Sequence, residues 1–235
     1  MVPWLRTGAS FPPLDAALGD PNGLLAAGGD LSPARLVAAY RHGIFPWYNE
    51  GQPILWWSPD PRMVLFVDEI RVSRSLGKVV KQKRFEMRVD TAFREVMEGC
   101  AEPRYGQSGT WISAPVIDAY TKLHRMGYAH SVESWRDGRL AGGLYGLAIG
   151  RMFFGESMFA READASKVAL VQLAAIMKQR DMPLIDCQQE TPHLARFGAR
   201  PITRRRFADW LQRLVDAAQP SAPWTPVAEA LAEPQ

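Results

Sequence analysis

Asp186 and Gln188 stand two positions apart in Leu184–Gln188, a short run that reads as a strand. Strand alternation sends both side chains from one face. An aspartate there can accept a hydrogen bond or a proton. A glutamine can orient an incoming group but cannot serve as a base, because its amide does not titrate. Glu156 follows Phe153, Phe154 and Gly155 on a second predicted strand. A carboxylate in such apolar company suits a cationic head as its partner. Plainer readings stand beside these. Asp186 and Gln188 can satisfy strand-end hydrogen bonds, and Glu156 can sit in a surface ion pair of little worth.

The charge distribution points to a second kind of chemistry. Net charge is +3, yet residues 71–88 hold seven basic side chains (Arg71, Arg74, Lys78, Lys81, Lys83, Arg84, Arg88) and one acid, Glu86. A basic stripe on a near-neutral chain suits a docked polyanion, and equally a solvated helix face. Arg204, Arg205 and Arg206 form a second run at a predicted helix start, where cations oppose the helix dipole. The four histidines form no metal-ligand cluster, and neither the glycine-rich phosphate loop nor the dinucleotide fingerprint occurs. Cys100 and Cys187 match no zinc spacing and are too few for a disulfide scaffold, so two reduced thiols are expected, with Cys187 in the core. Met1 to Ser10 lacks the apolar stretch of a secretory signal. No uncharged apolar run approaches the roughly 18 residues of a membrane span. A soluble, cytoplasmic chain with no obligate oligomer is expected.

The elements that must carry these groups follow from pattern. Residues 1–30 are rich in Pro and Gly and read as irregular. Ser32, Pro33 and Gly43 bracket a helix. Residues 43–62, with Phe45, Trp47, Tyr48, Trp56 and Trp57 among prolines, suit loops and short strands over a core. A helix over Ser73–Arg84 puts Leu76, Val79 and Val80 on one side and Arg71, Arg74, Lys78 and Lys81 on another, with Gly77 weakening it. Asp90 is placed to cap a helix reaching Cys100, and Ser113 one ending at Gly127. His130–Trp135, Leu140–Ile149 and Met152–Phe159 read as strands, the first two joined at Asp137-Gly138. Asp164 is placed to cap an apolar helix to about Arg180. Thr191-Pro192 starts a short helix and Thr203 an amphipathic one ending near Ala217. Residues 218–235, with four prolines, read as a tail. The order gives an α+β fold.

Several segments resemble, in order, the leucyl/phenylalanyl-tRNA–protein transferase family. They are Pro21-Asn22-Gly23-Leu24-Leu25-Ala26, Gly28-Gly29-Asp30-Leu31-Ser32-Pro33, Gly43-Ile44-Phe45-Pro46-Trp47 and Trp56-Trp57-Ser58-Pro59-Asp60-Pro61-Arg62. Gly109-Thr110-Trp111-Ile112, Gly155-Glu156-Ser157-Met158-Phe159 and Leu184-Ile185-Asp186-Cys187-Gln188 complete them. The resemblance implies a small N-terminal domain (1–62), an acetyltransferase-like (GNAT-like) mixed-sheet domain (63–217) and a tail (218–235). It implies transfer of Leu or Phe from aminoacyl-tRNA to proteins beginning with Arg or Lys. The ester donor is already activated, so the work is mainly positioning of an amine against a carbonyl, and no cofactor or metal is expected. Asp186 and Gln188 are implied as catalytic, and Glu156 as the counter-charge for the acceptor's N-terminal residue. Leu144, Phe153, Leu173 and Ile185 match the aminoacyl pocket, and tolerance of Met is expected from its apolar character. Trp47 and Trp111 are read as stacking on the terminal adenosine of the tRNA, worth about 1–3 kcal/mol. Arg71, Arg74, Lys78, Lys81, Lys83 and Arg84 become phosphate contacts. Trp56 and Trp57 are left as structural. The chain departs from some relatives at Thr191, where an asparagine stands near that position in them; helix capping accounts for the threonine.

Two rival readings are a coenzyme-A-dependent N-acetyltransferase and a non-enzymatic RNA-binding module. The first needs a pyrophosphate loop before the helix at Asp164, where Arg161-Glu162-Ala163-Asp164 stands instead. The second leaves Glu156, Asp186 and Gln188 without a task.

Overall fold

A computed structural model describes residues 2–103, 110–220, 223–228 and 230. In chain order the elements are β1 (Trp4–Leu5), β2 (Leu24–Gly28), α1 (Pro33–Arg41), β3 (Phe45–Pro46), β4 (Leu55–Trp57), β5 (Arg62–Phe66), α2 (Arg74–Lys81), β6 (Glu86–Val89) and α3 (Phe93–Ala101). Then come α4 (Ala114–Arg125), β7 (Ala129–Arg136), β8 (Arg139–Ile149), β9 (Met152–Ala160), α5 (Ala165–Gln179), β10 (Leu184–Gln188), α6 (Pro192–Ala195), β11 (Arg200–Ile202) and α7 (Arg204–Val215). The architecture is mixed α+β. A four-stranded sheet runs β1-β2-β4-β3, and a seven-stranded sheet runs β11-β5-β10-β9-β8-β7-β6.

The heart of the large sheet is local in origin. Asp137 (φ +50°) and Gly138 (φ +73°) make the tight turn that pairs Arg136 with Arg139. β8 then pairs with β9 antiparallel. After the crossover helix α5, β10 lies parallel to β9, paired at Leu184–Met152, Ile185–Phe153 and Asp186–Phe154. Beyond those three pairs the strands separate, and the fork between them opens a cavity.

Alternation along β8 divides the apolar residues between two cores. Leu147 and Ile149 join one with α3, α4, α1 and the small sheet. Leu144 and Ala148 join the other with α5 and α2. Gly142 allows the start of α5 to lie close against β8, since a Cβ there would stand 2.7 Å from that of Ala165.

Several sequence expectations need correction. Helix α2 ends at Lys81, because Lys83 takes a left-handed φ of +48° and turns the chain toward β6. Ser73 caps it, accepting from the Leu76 amide at 3.3 Å. Asp90 does not cap α3. Its own φ is +59°, and its carboxylate accepts from the Ser131 amide (2.8 Å) and His130 Nδ1 (2.7 Å). The orphan amides before α3, Thr91 and Ala92, are taken instead by the buried Glu133 at 2.9 and 2.8 Å. Asp164 precedes α5 in the left-handed region (φ +70°), where its side chain pairs with Lys167 and caps nothing. Residues 1–30, read as irregular, contribute β1 and β2. The expected tail is in part docked: Trp224, Val227 and Ala230 pack against the second core. Pro234 and Gly109 lie outside the described residues.

Candidate functional site

At the fork of β9 and β10 lies a cavity of about 870 Å³. Its apolar wall includes Leu144, Phe153, Leu173 and Ile185, all buried, joined by Leu170 and Met158. The four pocket residues singled out in the sequence therefore meet, drawn from β8, β9, α5 and β10. Trp47 and Trp111 stand on the same cavity. Trp47 is 40% exposed, its ring edge-on to Trp57 at 5.7 Å, and Trp57 donates to the Trp47 carbonyl at 2.6 Å. Trp56 is fully buried and donates to the Gly28 carbonyl at 2.8 Å.

The polar wall is built on Glu156, half-buried at the mouth of the fork. Its oxygens accept from Tyr40 Oη (2.7 Å), Tyr120 Oη (3.2 Å) and Gln188 Nε2 (2.6 Å). The two tyrosine hydroxyls, from α1 and α4, lie 2.5 Å apart. Among the described residues no basic side chain pairs with Glu156, so the surface ion pair considered from sequence is absent. Burial, with some help from the charge of Asp186, pushes the Glu156 carboxyl up to about 7 against the pull of its hydrogen-bond donors.

Gln188 lies at the end of β10, where the pairing with β5 slips between Asp186 and Gln188. Its φ of +62° is a left-handed conformation that costs a non-glycine residue on the order of 1–3 kcal/mol. Asp186 holds it there, with Oδ1 accepting the Gln188 amide at 2.9 Å. Asp186 itself has no exposed surface and lies behind the cavity wall. Arg62 grips it in two bonds, Nε to Oδ1 at 2.8 Å and Nη2 to Oδ2 at 2.6 Å. The guanidinium also lies 4.7 Å from the Phe45 ring centroid and 4.6 Å from that of Phe207.

Cys187, expected as core, packs against the second core and also lines the cavity, beside Ile185 on the same face of β10. Burial pushes its thiol up. The basic residues Arg71, Arg74, Lys78, Lys81, Lys83 and Arg84 are exposed on and around α2, and none lines the cavity. Arg88 leaves the stripe: it binds Glu86 and lies over Trp135. Arg71 donates its amide to the Phe197 carbonyl at 2.9 Å, which ties the stripe to the turn after α6, whose His193 and Leu194 reach the cavity.

Arg62, Tyr40 and Tyr120 were not singled out in the sequence. Nothing local marks them, since their partners lie 124, 116 and 36 positions away. Among the described residues no group of three His, Cys, Asp or Glu could hold a metal ion, and no helix is long and apolar enough to cross a membrane.

Comparison with known proteins follows this geometry. The family model described as leucyl/phenylalanyl-tRNA protein transferase matches residues 64–212, and that of its N-terminal domain matches residues 29–60. A leucyl/phenylalanyl-tRNA–protein transferase of Azoarcus sp. (strain BH72) is 59% identical over 225 residues, covering 96% of this chain and 96% of that one. One from Thiobacillus denitrificans is 64% identical over 215 residues, covering 92% and 94%. One from Pseudomonas aeruginosa PAO1 is 60% identical over 217 residues, covering 92% and 96%. Among solved structures, L-PGS from Bacillus licheniformis aligns with a TM-score of 0.38 and 10% identity, over 72% of this chain and 56% of that one, too low a likeness to bear on the fold. The chain belongs to the leucyl/phenylalanyl-tRNA–protein transferase family.

Proposed function

We propose that this protein transfers leucine or phenylalanine, with tolerance of methionine, from aminoacyl-tRNA to the α-amine of proteins beginning with Arg or Lys. The new peptide bond would mark them for N-end rule degradation in the cytoplasm, with the enzyme acting as a monomer and without a cofactor. The observation that carries this reading is an apolar cavity lined by a carboxylate, Glu156, that no cation of the described chain neutralises, while the other lining carboxylate, Glu102, pairs with Arg161. The cavity suits a Leu or Phe side chain, and Glu156 suits the positive head of the acceptor's first residue.

In the reaction the acceptor amine attacks the ester carbonyl. A C–N bond forms, the C–O bond to the terminal ribose breaks, and the amine proton passes to the departing ribose oxygen. The amine first loses a proton of pKa about 8. That proton goes to solvent water, and Gln188 orients the neutral amine and helps pass its next proton to the departing ribose oxygen. Asp186 acts from behind, fixing Gln188 through its amide. Trp47 and Trp111 receive the terminal adenosine, and Arg71, Arg74, Lys78, Lys81, Lys83 and Arg84 contact phosphates. Those six are exposed, and the Arg71 amide is bonded to the turn after α6, whose His193 and Leu194 line the cavity.

Three antiparallel strands (β7–β9), the crossover α5 and the parallel β10 that forks from β9 suit an acetyltransferase-like (GNAT-like) unit over residues 63–217, with residues 1–62 as a small domain before it.

Radiolabelled leucine presented as leucyl-tRNA, without ATP or coenzyme A, tests the activity. Label is expected on a protein beginning with Arg and not on one beginning with Glu. Absence of label from folded, tRNA-bound protein would refute it.

A further inference from the structure

The described residues 219–220 and 223–227 lie along the second core and are fastened at three points. Gln219 Nε2 donates to the Ala148 carbonyl, Arg180 Nη2 to the Pro220 carbonyl and Gln172 Nε2 to the Val227 carbonyl, each at 3.2 Å. Ala148 is the β8 partner of Phe153, and Gln172 precedes Leu173 on α5. The strap is therefore attached beside two residues of the apolar wall.

Its centre is Trp224. The indole stacks on His130 at 4.1 Å between centroids and 17° between planes, and the Arg180 guanidinium lies 4.5 Å from its ring centroid. Asp90 fixes His130 through the 2.7 Å bond to Nδ1. Against this held indole stands Phe153, centroids 5.9 Å apart and planes tilted by 47°. Phe153 is fully buried and lines the cavity. On its β8 side the ring lies over Gly146, where a Cβ would fall 2.5 Å from Cε1. Gly146 confines the ring from one side, and Trp224 limits its retreat.

We propose that Trp224 is a positioning residue that sets the depth of the aminoacyl pocket by holding Phe153. This rests on the aminoacyl-transfer reading above. Removing the indole gives Phe153 room to withdraw, so a longer donor side chain is admitted while leucine is handled much as before.

The test compares kcat/KM for two donors, leucyl-tRNA and the same tRNA carrying 4-phenylphenylalanine, on an Arg-starting acceptor. In Trp224→Ala the ratio of the bulky donor to leucine should rise by about tenfold or more, the lower end of what a methylene-sized misfit is worth in an apolar pocket. Trp224→Phe, which keeps a ring, should stay near wild type. An unchanged ratio, or an equal loss with both donors, overturns the proposal. Should Trp224→Ala not fold, Trp224→Leu takes its place beside Trp224→Phe, and a ratio in Trp224→Leu no higher than in wild type overturns the proposal. If the wild-type chain transfers no leucine, the activity reading falls and the brace with it. If wild type is active and the variants do not discriminate, the brace alone falls.

Discussion

Replacing Glu156 by glutamine removes one charge from the cavity and almost nothing else. The glutamine carbonyl can accept from Tyr40 and Gln188, which now meet the carboxylate at 2.7 and 2.6 Å. Tyr120, at 3.2 Å, can turn its hydroxyl to accept from the new amide. The loss of function should therefore report the missing charge. A hydrogen bond to a charged group is worth about 1.5–3 kcal/mol, so kcat/KM for an Arg-starting acceptor should fall about 10- to 150-fold. An acceptor beginning with citrulline, the uncharged isostere of arginine, should be used about equally by wild type and Glu156→Gln.

The pH dependence gives a second readout with a definite sign. The Glu156 carboxyl lies at about 7, so its charge, and with it acceptor affinity, is lost as pH falls below 7. The acceptor amine adds its own limb near pH 8. Wild-type kcat/KM should thus climb through both limbs, and Glu156→Gln only through the upper one. Stability runs the opposite way. Burial raises the folded value above that of the unfolded chain, so the ionised carboxylate destabilises the fold increasingly from about pH 4.5 to 7 and fully above it. Glu156→Gln should be the more stable protein at pH 8, by up to about 3 kcal/mol, and show no advantage at pH 4. Equal losses on Arg and citrulline acceptors, or an unchanged lower pH limb, would refute the counter-charge role.

Three further perturbations separate the other parts. Arg62→Met strands the fully buried Asp186 without its cation and should cost about 3–5 kcal/mol in chemical denaturation; pairing it with Asp186→Leu should restore most of that stability. Unchanged stability in the single variant would deny the pair its anchoring role. Changing both Lys78 and Lys81 to Ala should lower the slope of log tRNA affinity against log salt by about 1.5–2, with no effect on the single-turnover rate at saturation. An unaltered slope takes α2 off the tRNA path. Trp47→Ala should weaken aminoacyl-tRNA binding by about 1–3 kcal/mol and leave the melting temperature near wild type, since the indole is 40% exposed. A large loss of stability with normal binding would return Trp47 to the core.

What the sequence made legible was what local pattern can encode. The Asp137-Gly138 hairpin, the long apolar helix α5 and the three strands β7–β9 announce themselves by turn chemistry and period. The strands β1, β5, β6 and β11 do not, being two to five residues long and held by partners distant in the chain. Asp90 and Asp164 look like helix caps by residue type. Each instead takes a left-handed backbone conformation, and its carboxylate serves another partner: His130 and Ser131 for Asp90, Lys167 for Asp164. Within the site, Asp186, Gln188 and Glu156 were visible as types and spacing. Their different surroundings were not, because Arg62, Tyr40 and Tyr120 come from elsewhere in the chain. The docking of Trp224 was hidden for a related reason: a proline-rich end reads as tail until a hydrophobic face is found beneath it.

That difference in surroundings explains how two carboxylates near one cavity can do separate jobs. Asp186 is fully enclosed but matched by the two-bonded guanidinium of Arg62, so the pair carries no net charge to offer a guest. Its remaining capacity goes to the Gln188 amide, which keeps a left-handed glutamine aimed at Glu156. Among the described residues Glu156 receives only neutral donors, which stabilise its charge without cancelling it. Burial without a counter-ion leaves that charge poorly satisfied until a cation arrives. On the proposed function, the acceptor's cationic head would bind beside Gln188, which would bring its amine to the cavity. Had Arg62 been placed against Glu156 instead, the cavity would be neutral and the acceptor's first residue would have nothing to recognise. On the proposed function, the separation of compensated and uncompensated carboxylates would give the apolar cavity its demand for a positive charge on the second substrate.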